Sequence, residues 1–142
     1  MPRVLIADDN SQNAELLEAH LDGTGWDTKI AVNGDETLAL VKSWQPDVVL
    51  LDIMMPKLSG FDVCKAIRAD EANMSMGVLM VTALDQPSDV EKAINAGTDD
   101  FLTKPIHKSE LLLRVRALLE ARKQTTEPDR SLTYFRQATV GM

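Results

Sequence analysis

The sequence predicts a doubly wound α/β fold, a parallel sheet of five strands covered by helices on both faces. Short apolar runs alternate with segments of helical periodicity along the chain. The runs Val48–Leu51 and Gly77–Thr82 are too apolar for a sheet with one wet face. The length of 142 residues suits one domain, and with 44% hydrophobic and 26% charged residues the chain can bury a core.

Arg3–Ala7 is rich in strand formers, and Asp8-Asp9-Asn10-Ser11 after it has loop and helix-cap chemistry. Ala14, Leu17 and Leu21, with Leu16 beside them, follow the 3.6-residue period from Ser11, and Asp22-Gly23-Thr24-Gly25 stops that helix. Trp26–Val32 reads as a second strand. Leu38, Val41 and Trp44 mark a second helix that Pro46 ends, and Val48–Leu51 is the third strand. Gly60–Ala69 is helical by the spacing of Phe61, Cys64 and Ile67, and Gly77–Thr82 is the fourth strand. Pro87–Ala96 gives a fourth helix with Val90 and Ile94 expected inward, stopped by Gly97. Asp99–Thr103 is a short fifth strand. The last helix opens at Lys108 or Ser109, with Leu111, Leu112, Val115, Leu118 and Leu119 as a broad stripe and Arg122 and Lys123 suited to its carboxyl end. Beyond about Gln124 the pattern dissolves, and Thr125–Asp129 is linker composition.

In such sheets ligands bind outside the carboxyl ends of the strands. Asp8 and Asp9 stand after the first strand, Asp52 after the third, Thr82 at the end of the fourth and Lys104-Pro105 after the fifth. Carboxylates that converge in a partly dry crevice repel one another, and a hard divalent cation with oxygen ligands relieves this, Mg²⁺ being the natural choice. Lys104 and Thr82 suit the oxygens of a phosphoryl group. These loops hold no histidine or cysteine nucleophile, which leaves a carboxylate and an aspartyl phosphate.

Here the sequence resembles the receiver domain of response regulators, over roughly residues 2 to 124. The resemblance rests on Ile6-Ala7-Asp8-Asp9-Asn10, Leu50-Leu51-Asp52-Ile53-Met54-Met55-Pro56 with Gly60, Val81-Thr82-Ala83, Ala96-Gly97 and Asp100-Phe101-Leu102-Thr103-Lys104-Pro105, in that order and at the family's intervals. It implies a flavodoxin-like three-layer sandwich with strand order 2-1-3-4-5. Residues 1–124 would form the receiver, and 125–142 a linker or C-terminal tail. Asp52 matches the phosphoacceptor, Asp9 the main metal-binding acid, and Asp8 the acid that helps hold Mg²⁺. Met54 matches a position that gives its backbone carbonyl to the metal. Thr82 and Lys104 match the pair that binds the phosphoryl oxygens, Phe101 matches the aromatic switch residue, and Pro105 matches a proline usually held in a cis peptide.

The implied function is a switch in a bacterial two-component phosphorelay. A histidine kinase or phosphotransfer protein passes a phosphoryl group from phosphohistidine to Asp52. The face built from the fourth helix, fifth strand and fifth helix then changes for an output domain or partner. The chain would be a self-phosphorylating acceptor that turns over no external substrate. A weaker resemblance, on Phe101–Ile106 with Leu112–Leu118, is to receivers that precede cyclic-di-GMP synthesis or hydrolysis domains. A last helix running past Arg122 would suit a homodimer.

Blander roles exist for each residue. Asp8-Asp9 alone reads as a helix-start cap pair, Asp52 as a strand-end cap, Lys104 as a solvated lysine, and Thr82 as a β-branched strand residue. Phe101 is more secure as a core aromatic than as a switch. Cys64 suits an inert packing thiol, and His20 and His107 suit the surface. Among rivals, an aspartate-nucleophile phosphatase of the haloacid dehalogenase type needs an acid where Met54 stands. A flavodoxin-type electron carrier would have its phosphate repelled by Asp8 and Asp9. The alternative that keeps the fold is a phosphorylation-independent interaction module.

A net charge of −7 argues against a domain that grips nucleic acid or an anionic membrane by its bulk field. No apolar run reaches a membrane span, the start reads as a strand rather than a signal peptide, and one cysteine excludes an internal disulfide; a cytoplasmic location is expected. Met54 and Leu84 occupy positions whose side chains in the family influence hydrolysis of the phosphate, and both are apolar. Neither can position an attacking water, so the aspartyl phosphate is predicted to be long-lived. Following phosphoprotein mass over time in purified protein checks this, and decay within seconds would contradict it.

Overall fold

The computed structural model describes residues 1–125. The chain alternates β1 (Arg3–Ala7), α1 (Ser11–Leu21), β2 (Asp27–Ala31), α2 (Gly34–Trp44), β3 (Val48–Leu51), α3 (Gly60–Ala69), β4 (Gly77–Thr82), α4 (Pro87–Ala96), β5 (Asp100–Thr103) and α5 (Lys108–Thr125). A short 3₁₀ turn at Glu71–Asn73, absent from the sequence reading, links α3 to β4. The strands form one sheet in the order β2-β1-β3-β4-β5, with every pair parallel. Apart from Thr125, the expected linker or tail lies outside the described residues.

The consecutive apolar residues behave as expected. On one face Leu5, Ala7, Val49, Leu51, Val78 and Met80 pack with Val41, Val63, Cys64, Ile67, Ala93 and Ala96. On the other, Val4, Ile6, Val48, Leu50, Leu79 and Val81 pack with Leu17, Leu21, Leu111 and Val115. Cys64 is fully buried in the first layer, and burial pushes its thiol pKa up to about 11, as an inert packing thiol requires.

Three expectations change in detail. Trp26 and Val32 fall outside β2, which spans only Asp27–Ala31. β5 begins at Asp100, while Asp99 stays in the preceding loop. In α4 the inward residues are Ala93 and Ala96, Val90 is half-buried, and Ile94 is 64% exposed. The helix packs on α3 through its smallest side chains, which turns Ile94 out and leaves an apolar side chain on the surface.

Leu50 and Leu51 are neighbours in β3, yet they belong to opposite core layers, both with no exposure. Leu50→Ala and Leu51→Ala are therefore each expected to cost about 2–5 kcal/mol. Urea unfolding of the two variants checks this, and a near-neutral result for either would deny the two-faced sheet.

Candidate functional site

Because all five strands run the same way, their carboxyl ends open at one edge of the sheet, and the loops there carry the expected residues. Asp8 follows β1 and is 1% exposed, Asp52 follows β3 and is 7% exposed, and Thr82 ends β4 fully buried. Asp9, beside Asp8, is exposed. Carboxylate oxygens of Asp8, Asp9 and Asp52 lie within 4.8 Å of one another. Into this cluster reaches Lys104, whose Nζ lies 3.1 Å from Asp8 Oδ2 and 3.3 Å from Asp52 Oδ2. The Lys104–Pro105 peptide bond is cis, and the Lys104 backbone N–H donates to the Thr82 carbonyl at 2.8 Å.

The bland readings can be weighed against this geometry. The N-cap of α1 is Asn10, whose side chain accepts from Asn13 N–H, so the two acids do not cap that helix. Asn10 also donates its backbone N–H to Asp8 Oδ1 at 2.9 Å, a role that spacing alone did not indicate. Asp52 Oδ1 accepts from Met54 N–H at 3.1 Å. Lys104 is no solvated loop lysine, since its side chain is 22% exposed and paired twice. Thr82 Oγ1 accepts from Leu84 N–H at 3.3 Å, which leaves the hydroxyl proton to donate elsewhere.

Backbone packing fixes Asp52. The Gly60 N–H donates to Ile53 O at 2.9 Å, and a Cβ at Gly60 would run into the carbonyl of Asp52 and lie 2.7 Å from Ile53 Cα. Glycine is the residue that lets α3 begin this close to the acid. Phe101 is half-buried against the core layer that holds Met80. Met54 is 58% exposed, whereas Leu84 is half-buried against the core. A cleft of about 420 Å³ bordered by Asp9, Asn33, Asp35, Lys57 and Leu58 adjoins the site. A larger groove, about 930 Å³, lies at the opposite end of the strands beside Pro2, Trp26 and Asp47, away from this chemistry.

Electrostatics follow from the crowding. Burial raises the Asp8 pKa above its ordinary 3.8, and Asp52 adds to the rise against the Asn10 and Lys104 hydrogen bonds. For Lys104, burial favours the neutral amine, but Asp8 and Asp52 outweigh it and raise the pKa above 10.5. Three carboxylates facing one ammonium leave net negative charge among hard oxygen ligands, which fits Mg²⁺ and suits no soft metal.

The sequence profile described as "Response regulator receiver domain" matches residues 4–116. The chain is 45% identical over 119 residues to the DNA-binding dual master transcriptional regulator RpaA of Synechocystis, covering 84% of this chain and 49% of that protein. It is 40% identical over 116 residues to the response regulator PleD of Caulobacter vibrioides, covering 82% of this chain and 26% of that protein. It thus spans at most about half the length of these curated relatives. A crystal structure from Chloroflexus aurantiacus, described as a putative response regulator, superimposes with a TM-score of 0.81 at 33% identity, over 84% of this chain and 99% of that one.

The raised Asp8 pKa sets a pH dependence. Between 3.8 and its folded value the native state binds more protons than the unfolded state, so its charge costs stability progressively as pH rises through that window. In metal-free buffer Asp8→Asn is expected to gain on the parent across that window and keep a constant lead above it. Urea unfolding with a chelator across the acid range measures the difference, and a lead that shrinks with rising pH would refute it. The contribution of Lys104 runs the other way, being present below 10.5 and lost as pH passes its folded value.

Proposed function

The chain belongs to the response regulator receiver domain family, whose members are phosphorylation-activated switches, and on that premise we propose that Asp52 takes the phosphoryl group. The observation that carries the assignment is the bridge from Lys104 Nζ to both Asp8 and Asp52. Asp52 follows β3, which lies between β1, followed by its two acids, and β4 with Thr82. A phosphoryl group on Asp52 would thus have carboxylates on one side and the Thr82 hydroxyl and Lys104 ammonium on the other.

Asp8, Asp9, Asp52 and the Met54 carbonyl would hold Mg²⁺, which when bound neutralises the charge of the incoming phosphoryl oxygens. The Asp52 carboxylate attacks phosphorus as the bond from phosphorus to the donor nitrogen breaks, and that nitrogen takes a proton. Lys104 gives up part of its pairing with the acids to bind a phosphoryl oxygen, and its raised pKa keeps it charged. Thr82 donates its hydroxyl proton to another oxygen. Phe101, on the neighbouring strand β5 opposite Met80, is the residue we expect to respond when Thr82 moves.

The donor is the phosphohistidine of a histidine kinase or a phosphotransfer protein. The exposed Ile94 on α4 and Leu113 on α5 support an output surface on the α4-β5-α5 side, open to an output domain, a downstream protein or a second copy. RpaA is a DNA-binding regulator; for this chain, net charge −7 supports a receiver that leaves any nucleic-acid contact to another domain. We further propose that residues 1–124 act as the receiver and 125–142 as linker or tail, that the domain turns over no external substrate, and that it works in the cytoplasm. Among the described residues no helix is long and apolar enough to cross a membrane.

Incubation with Mg²⁺ and acetyl phosphate is expected to add about 80 Da, one phosphoryl group, to the parent and nothing to Asp52→Ala. Intact-mass spectrometry reads this directly. No gain in the parent, with Mg²⁺ binding verified, would favour a receiver fold that signals through binding alone.

A further inference from the structure

The two ends of α4 are held very differently. At its carboxyl end Arg68, from the last turn of α3, joins two connections, the one that leads into β4 and the one that follows α4. Its Nε donates to Gly97 O at 2.9 Å, its Nη1 to Met76 O at 2.7 Å and Asn73 O at 3.1 Å, and its Nη2 to Asp99 Oδ2 at 2.7 Å. Asp99 Oδ2 in turn accepts from Val78 N–H at 2.8 Å, and the single hydroxyl proton of Thr98 is shared between Val78 O and Asp100 O. Gly97 has φ +102, and a Cβ there would lie 2.6 Å from Arg68 Cγ, so the arginine stem lies against the helix cap itself. The fork of a guanidinium serves this geometry because one planar group satisfies carbonyls from several directions.

At the amino end the hydrogen bonds stay local. Gln86 N–H donates to Asp89 Oδ2 at 3.2 Å, Asp89 and Val90 N–H donate to Gln86 O, and the Gln86 side-chain amide donates to Asp85. Pro87 and Ser88 are exposed, while the buried residues of the helix, Ala93 and Ala96, both lie in its carboxyl half. The loop Ala83–Gln86 joins this loose end directly to Thr82, whose hydroxyl already accepts from Leu84 N–H. A helix clamped at one end by long-range hydrogen bonds and held at the other, among the described residues, by local ones beside a site residue, with Leu84 resting on the core, can act as a lever.

We infer that Arg68 is a positioning residue that fixes the pivot of α4, so that movement of Thr82 toward a phosphorylated Asp52 swings the amino end of the helix while Ala93–Thr98 stays in place. This rests on the switch reading proposed above. A shift of about 1–2 Å at Pro87 on a lever about 15 Å long is a tilt of about 4–8°. Such a tilt moves residues in the first turns of α4 and leaves Gly97 still. The output surface would thus be altered most next to Pro87–Val90, with Ile94 displaced less.

Hydrogen exchange read by mass spectrometry on the full chain tests this, with Mg²⁺ alone and with Mg²⁺ plus beryllofluoride, whose occupancy native mass reports. In the parent, exchange over residues 83–92 is expected to change by about threefold or more, and over 93–98 by less than about 1.5-fold. In Arg68→Lys, which keeps a charge for Asp99 but loses the fork, the beryllofluoride-dependent change is expected to spread to 93–98. A residue with only a packing role would raise basal exchange in the variant and leave the ligand-dependent change confined. Equal changes over the two segments in the parent would overturn the pivot, whether or not the variant folds. A confined change in folded Arg68→Lys would overturn the role of Arg68. Failure of beryllofluoride to bind would instead sink the phosphoacceptor reading, and the pivot with it.

Discussion

The candidate site depends on one electrostatic arrangement, the ammonium of Lys104 set between the carboxylates of Asp8 and Asp52. Two carboxylates about 4 Å apart repel by about 4 kcal/mol at an effective dielectric constant near 20, and a third acid, Asp9, stands in the same cluster. One lysine offsets part of this and leaves a net negative charge. The cluster thereby suits a hard cation, and on the proposed function a phosphoryl group on Asp52 would be met by the lysine and by Thr82 at the end of β4. On that reading, binding and signalling would use the same charges.

The parallel sheet is what gathers those charges. Each strand contributes its last residues to the same edge, so the loops after β1, β3, β4 and β5 meet although they are far apart in the chain. The central strands are buried on both faces, which makes their ends stiff mounts. Gly60 lets α3 start against the backbone of Asp52, and Asn10 ties Asp8 to the first turn of α1. Rigid acids beside a threonine that ends a strand allow a change of charge to become a change of position.

The opposite edge of the sheet has its own fixed point. Arg68, Asp99 and Thr98 join the carboxyl ends of α3 and α4 to the starts of β4 and β5. β4 thus runs from a clamped end at Gly77 and Val78 to a site residue at Thr82, and α4 returns alongside from the site to the clamp. That path gives the helix one anchored end and one responsive end.

Much of this was legible in the sequence. The two-faced strands showed in consecutive apolar residues, the helices in their 3.6-residue spacing, and the carboxylates in their position just after apolar runs, because these are local properties of the chain. Contacts between distant segments were not legible in the same way. That Asp8 and Lys104, 96 residues apart, share a hydrogen bond needed the strand order. That Ala93 and Ala96 rather than Ile94 face inward was decided by how closely α4 lies on α3. Nothing in its own segment distinguishes Arg68, and only the approach of the connections on either side of β4 and α4 made it a clamp. Periodicity determines which elements form and what they carry, whereas the approach of one element to another is set by side-chain volume and by hydrogen bonds that close only when the whole sheet is assembled.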